Sequence, residues 1–211
     1  MEANKYLNDI TEIKNLMNRS SRFISLSGLS GILAGVYALI GAGLAYTRIK
    51  SFSASNYDGL SGRSTSLWGT DVVKDLTIIA TAVLVLAAFT GFIMTLRKAK
   101  NSGEKIWDST SKRLVFNFLI PLVVGGFFCL VLMQQGIAGL VAPATLIFYG
   151  LACVNASKYT MGDVRYMGLA FIAIGLINTQ FIGYGLYFWA LGFGVCHILY
   201  GALMYYKYDR N

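Results

Sequence analysis

Charge is the scarcest commodity in this 211-residue chain. Asp, Glu, Lys and Arg make up 13% of it, about half the share of an ordinary soluble domain. Long stretches carry none: residues 23–47 run for 25 positions without a charged side chain, 76–96 for 21, 114–157 for 44 and 166–206 for 41. Each reaches the ~20 residues a helix needs to cross a hydrocarbon core. Such a chain is not a disordered tail, a secreted disulfide domain or a nucleic-acid-binding protein. Acids and bases are missing from the interior of all four runs, which weighs against proton-coupled carriers, pumps and voltage sensors, since these place a titrating group inside the bilayer. It also weighs against a two-aspartate intramembrane protease. With a single histidine, His197, no second imidazole is at hand for serine chemistry or for bis-histidine haem, and zinc would want more ligands than are present. Three cysteines, Cys129, Cys153 and Cys196, lie inside apolar runs without a CxxC pair. They read as small apolar fillers rather than a disulfide framework or metal cluster.

What is present is enough apolar chain for six crossings. The two shorter runs fit one helix each and the two longer ones fit two. Gln134-Gln135-Gly136 marks the turn inside the third run, and Asn178-Thr179-Gln180 with Gly183-Tyr184-Gly185 marks the turn inside the fourth, because glycine and amides collect where a chain reverses at a headgroup region. The expected fold is all-α, a polytopic bundle of six transmembrane helices over about 23–46, 72–96, 114–134, 137–156, 166–182 and 184–206. The domain layout is a 1–22 segment, a 23–206 membrane domain and a 207–211 tail. Basic residues set the orientation. Fourteen Lys and Arg fall on the side of the amino-terminal segment, the 97–113 loop, Lys158, Arg165 and the tail, against four (Arg48, Lys50, Arg63, Lys74) on the other. Both termini are expected in the cytoplasm, with residue 23 opening an uncleaved first span. Six of the 13 tyrosines lie between Tyr184 and Tyr208, as interfacial anchors of the last helix.

Outside the spans, Tyr6, Ile10, Ile13 and Met17 repeat at helical spacing among polar residues. Residues 1–22 are therefore expected to form an amphipathic cytoplasmic helix, lying on the leaflet or binding a membrane or cytoplasmic protein partner. Residues 48–71 read as a Ser/Thr/Gly-rich loop in which Trp68 returns to the interface, and 97–113 as a basic loop. Thr160 followed by Asp163 resembles a capping box opening the fifth helix, and Asp163 suits the positive end of its dipole. The alternative to that capping role is a cytoplasmic gate or docking patch formed by Asp163 and Arg165.

Inside the membrane, Ala190, Gly194, His197 and Gly201 fall at i, i+4, i+7 and i+11, one face of small residues around one imidazole. Small residues admit a neighbouring helix, so His197 is expected to point at protein and to hydrogen-bond across helices, with Asn155 and Asn117 as candidate partners at a shared interhelical or ligand-binding site. Gly31 and Gly35, with Ser27, give the first helix a similar packing face. Gly125-Gly126, Pro121 and Pro143 mark kinks or hinges. No catalytic residue, metal site or cofactor is assigned.

The lead-in Ser20-Ser-Arg-Phe-Ile-Ser-Leu-Ser-Gly28, the stretch Asn155-Ala-Ser-Lys-Tyr-Thr160 and the stretch Gly192-Phe-Gly-Val-Cys-His197-Ile-Leu-Tyr-Gly201 resemble segments of uncharacterised bacterial six-helix membrane proteins. The resemblance covers most of the chain and implies architecture and a bacterial cytoplasmic membrane, without an activity. The expected function is a non-enzymatic membrane protein that binds a small ligand or lipid, or a protein partner, as a monomer or homo-oligomer. A small channel or uncoupled transporter ranks second and a membrane-embedded enzyme or redox protein last.

Overall fold

The computed structural model describes residues 27–57, 70–101 and 107–209. They form six helices and, among the described residues, no strand. These are α1 (Gly28–Tyr57), α2 (Thr70–Asn101), α3 (Ser109–Gln134), α4 (Val141–Ala156), α5 (Asp163–Gln180) and α6, residues 185–209. Five of them, all but α5, are long and apolar enough to cross a membrane, α4 when taken with the turns that flank it (Ala138–Tyr159). α5 falls short because its 18 residues include Asp163 and Arg165 at one end and Asn178-Thr179-Gln180 at the other.

Large apolar side chains face outward: Ile78, Val85, Phe89 and Phe92 of α2 and Val123 and Phe127 of α3 are each more than half exposed. The buried set is rich in alanine, with Ala38, Ala42, Ala45, Ala144, Ala152 and Ala156. Water does not tolerate so large an apolar surface; lipid does, and helices inside it associate by close approach of small residues. The close approach is concentrated at two seams. Where α1 meets α6, a β-carbon on Gly35 would lie 2.6 Å from the Gly194 carbonyl oxygen, and one on Gly201 would lie 2.5 Å from the Ile32 nitrogen. Where α4 meets α5, a β-carbon on Gly150 would lie 2.6 Å from the Gly168 oxygen and one on Gly168 would lie 2.7 Å from the Gly150 oxygen. α2 flanks the first seam by packing on α1, and α3 flanks the second by packing on α4. The beginning of α6 bridges the two seams by meeting α4 and α5.

The two expected turns fall at glycines with positive φ, Gly136 (74°) and Gly183 (103°), a region that costs an L side chain. Other boundaries differ from expectation. α1 continues through Arg48 and Lys50 to Tyr57, and α2 continues past Arg97 to Asn101. Lys, Arg, Ala and Ser propagate a helix once it has left the hydrocarbon, and neither extension holds Gly or Pro. An ion pair between Arg48 and Asp75 at 3.6 Å links α1 to α2 beyond their apolar stretches. α3 starts earlier than expected, behind Asp108, whose Oδ1 accepts from the Ser111 amide at 2.7 Å and hydroxyl at 2.8 Å. That cap holds the Asp108 carboxyl below its ordinary range, chiefly through the Ser111 amide. The 1–22 segment, Trp68 and Arg63 lie outside the described residues.

Candidate functional site

The last helix is not uniform. It starts as α-helix over Gly185–Trp189, widens to a π-helix over Ala190–Cys196, returns to α over His197–Met204 and widens again over Tyr205–Asp209. A π-helical turn bonds i to i+5 and takes up an extra residue, a deviation that recurs at functional sites. Gly194 and Gly201 face α1, as the small-residue spacing predicts, but the imidazole that follows the π segment turns to α4 and α5. The single face counted at 3.6 residues per turn is thus divided between two neighbours.

His197 is 8% exposed. Its Nε2 meets the Tyr149 hydroxyl of α4 at 2.7 Å. The partner is therefore neither Asn155 nor Asn117. Those two asparagines are joined elsewhere: Asn155 Nδ2 donates to the Asn117 main-chain oxygen at 2.8 Å. Pro121, four residues on, has no N–H to give that carbonyl, so α4 supplies the missing donor. Asn117's own Nδ2 donates to the Arg113 oxygen within α3.

Around the His197–Tyr149 pair stand aromatic rings. Phe193 stacks on the imidazole at 5.9 Å between centroids, and Phe171 meets it edge-on at 5.2 Å. Phe171 also contacts Tyr149 at 4.9 Å and is fully buried. Gly192 makes room for this arrangement, since a β-carbon there would strike Leu146 and sit 3.4 Å from Phe171. Cys153 lies against Tyr149 in the cluster below, with Met161, Val164 and Met204. All three cysteines are free. Among the described residues, no three His, Cys, Asp or Glu side chains gather as metal ligands.

The polar atoms of this interior are incompletely used. His197 Nδ1, the Tyr200 hydroxyl and both side-chain polar atoms of Asn178 are buried without a hydrogen-bond partner. The Gly192 main chain lies near the imidazole but makes no hydrogen bond to Nδ1. In a neutral imidazole one nitrogen donates and the other accepts, so with Nε2 committed to Tyr149 the ring offers one unused donor or acceptor at Nδ1. Asn178 belongs to α5 rather than to the turn after it, on the buried face with Phe171 and Gly175.

At the opposite end of α5, Asp163 is the first helical residue, but Thr160 does not cap it. The N-cap is Gly162, without a side-chain bond, and Thr160 is buried in extended backbone two residues earlier. The Asp163 carboxylate turns to the end of α6, where Lys207 Nζ donates at 2.9 Å and the Tyr208 hydroxyl at 3.0 Å to the same Oδ2. Its carboxyl is held below the ordinary value, first by Lys207 and, against some opposing desolvation, by Tyr208. Arg165 is exposed and does not join this group.

Sequence reasoning did not assign Tyr149, Phe171 or Phe193 to a site, and it read Asn178 as a turn marker, Tyr200 and Tyr208 as interfacial anchors and Lys207 as a topological charge. Tyr149 carried a usable signal, a phenol in mid-run rather than at an interface. The fold and site define the class, an all-helical chain with several helices able to cross a membrane and a half-satisfied histidine inside it. Comparison with protein-family models, curated proteins and solved structures gives no match to this chain.

Proposed function

We propose that this chain is a six-span integral membrane protein of a bacterial cytoplasmic membrane, with both termini in the cytoplasm, and that it binds a small uncharged ligand beside His197 without transforming it. The sixth crossing is supported by the α5–α6 hairpin. Asp163 at the start of α5 is tied to Lys207 at the end of α6, and the other ends are joined by the turn at Gly183. If α6 crosses, α5 crosses beside it; its 18 residues cover about 27 Å, close to the hydrocarbon thickness of about 30 Å.

The observation that carries the ligand reading is His197 Nδ1, buried and unpartnered while Nε2 is held by Tyr149. A buried polar atom without a partner costs free energy unless something else satisfies it. Binding is favoured over catalysis because, among the described residues, Tyr149 is the side chain hydrogen-bonded to the imidazole, and no carboxylate joins it to form an acid–base pair. Uncharged ligands fit because no fixed charge lines this interior.

The test uses the single histidine. In protein labelled with 15N-histidine and held in lipid nanodiscs, every imidazole signal is His197. Bound small molecules are released from the same samples and identified by mass spectrometry. The expected result is a molecule retained by the wild type and lost from His197→Ala, with an Nδ1 signal that moves when it is washed out. Wild-type protein that carries no such molecule, with an Nδ1 signal indifferent to washing, overturns the reading.

A small channel or uncoupled transporter is the second reading. It is favoured by the three levels at which unpaired polar atoms occur along α5 and α6, namely Asn178, His197 and Tyr200. Liposomes that leak neither water, ions nor small solutes remove it. The partner role of residues 1–22 stays part of the proposal. If the protein emerges alone from detergent and behaves normally without that segment, the role is withdrawn.

A further inference from the structure

A second feature lies on the outside of the bundle, between α3 and α4, away from His197. α3 and α4 touch firmly at two levels. A β-carbon on Gly125 would strike the Phe148 ring, and lower down Asn155 reaches across to the Asn117 carbonyl that Pro121 leaves free. Alongside these contacts runs an open groove of about 370 Å³ lined by Pro121, Phe148, Leu151, Val154, Asn155 and Lys158.

The lining has an order. Phe148, Leu151, Asn155 and Lys158 fall at i, i+3, i+7 and i+10, a single stripe down α4 and the Ser157–Tyr159 turn that continues it. Along that stripe the chemistry runs from aromatic and aliphatic to amide to cation. Phe148 and Lys158 are ten residues apart, about 15 Å along a helix, which is half the thickness of the hydrocarbon core. The order matches the chemistry of a lipid with a hydrocarbon tail, a polar ester region and a phosphate. Asn155, which donates its Nδ2 to Asn117, stands midway along the stripe. Lys158 is exposed at the end of the stripe, and its turn packs against α3, whose first turn carries Lys112 and Arg113. A cation at the head of an apolar slot selects an anionic occupant over a zwitterionic one.

We propose that the α3–α4 groove is a binding site for one anionic phospholipid of the leaflet on the Lys158 side, with an acyl chain along Phe148, Leu151 and Val154 beneath Pro121 and the phosphate on Lys158. This site needs α3 and α4 to lie in a bilayer, and it does not depend on the reading of His197.

The test reconstitutes the full chain into nanodiscs of equal parts phosphatidylglycerol and phosphatidylcholine, transfers it gently to detergent and counts retained lipids by native mass spectrometry. Wild-type protein is expected to retain phosphatidylglycerol in excess. Lys158→Gln should cut that excess about fivefold, the effect of one cation at a membrane surface. Leu151→Trp, which fills the slot from an exposed position, should lower retention of both lipids. Each variant is read only after its melting temperature matches the wild type; as a second slot-filling change at the same exposed position, Leu151→Phe stands in for Leu151→Trp should that variant melt early. Equal retention of the two lipids by the wild type overturns the site. So does an undiminished preference in Lys158→Gln. Loss of preference in Lys158→Gln with full retention in both slot-filling variants overturns it as well, because the lysine would then act without the groove.

Discussion

His197 offers two nitrogens and the protein uses one. Tyr149→Phe removes the hydroxyl at 2.7 Å from Nε2 and leaves that nitrogen as exposed to want as Nδ1. We expect a loss of about 1 kcal/mol, between the range for orphaned buried groups and the smaller values typical of membrane interiors, read by thermal unfolding in detergent. The lone imidazole signal should shift with it; an unchanged 15N spectrum refutes the bond. Asp163 gives a prediction in pH. Its carboxyl titrates below the ordinary 3.8 in the folded chain, so the unfolded state takes up the proton first. Its contribution is complete above that ordinary value and is lost as pH falls through the lower folded one. Melting temperature should therefore drop below about pH 4, and Asp163→Asn should flatten that part of the profile. His197 was legible in the sequence as the one ionisable side chain inside a run. Its partner was not, because the choice among Tyr149, Asn155 and Asn117 depends on which helices pack together and at what depth, and Asn155 is drawn instead to the Asn117 carbonyl that Pro121 leaves free.

Between elements, glycines decide how near two helices come. Gly150→Ala or Gly201→Ala places a β-carbon against backbone of the facing helix, and either should destabilise the bundle by about 2 kcal/mol or more. Gly126 has nothing within 4 Å of such a carbon, so Gly126→Ala should be neutral or stabilise by about 0.5 kcal/mol. Equal melting of the Gly126 and Gly201 variants contradicts the seams. Pro121 and Asn155 form a coupled pair. Asn155→Leu should cost about 1 kcal/mol in the wild type and markedly less in a Pro121→Ala background, where α3 can supply its own N–H; additive losses in a double-mutant cycle would show that the two do not interact. The Gly31/Gly35 face and the Gly194/Gly201 face were each visible as small-residue spacing, and the structure brings them together as α1 against α6. The second seam, where Gly150 of α4 meets α5 at Gly168 and Gly175 also lies against α4, was not legible because its two glycines on α5 stand seven residues apart and α4 offers one.

At the scale of the whole molecule, the uncharged runs foretold an all-helical chain, and turn glycines at 136 and 183 divided them correctly. Where helices stop outside the apolar stretches was not legible, since polar helix formers continue α1 to Tyr57 and α2 to Asn101 without an apolar signal. The proposed six crossings and cytoplasmic termini lead to a topology prediction. Single cysteines at Gln135 and Gly183, in a background with the native three replaced, should react with an impermeant reagent applied from outside. Cysteines at Lys158 and Lys207 should react only after lysis, and labelling of Lys158 and Gln135 positions from the same side refutes the arrangement. The union of α1 with α6 also has a consequence in time. Gly28 rests against Tyr205, and at 5–20 residues per second the ribosome needs on the order of ten to thirty seconds to deliver the second after the first. During that interval the glycine face of the first helix waits for the helix that will cover it.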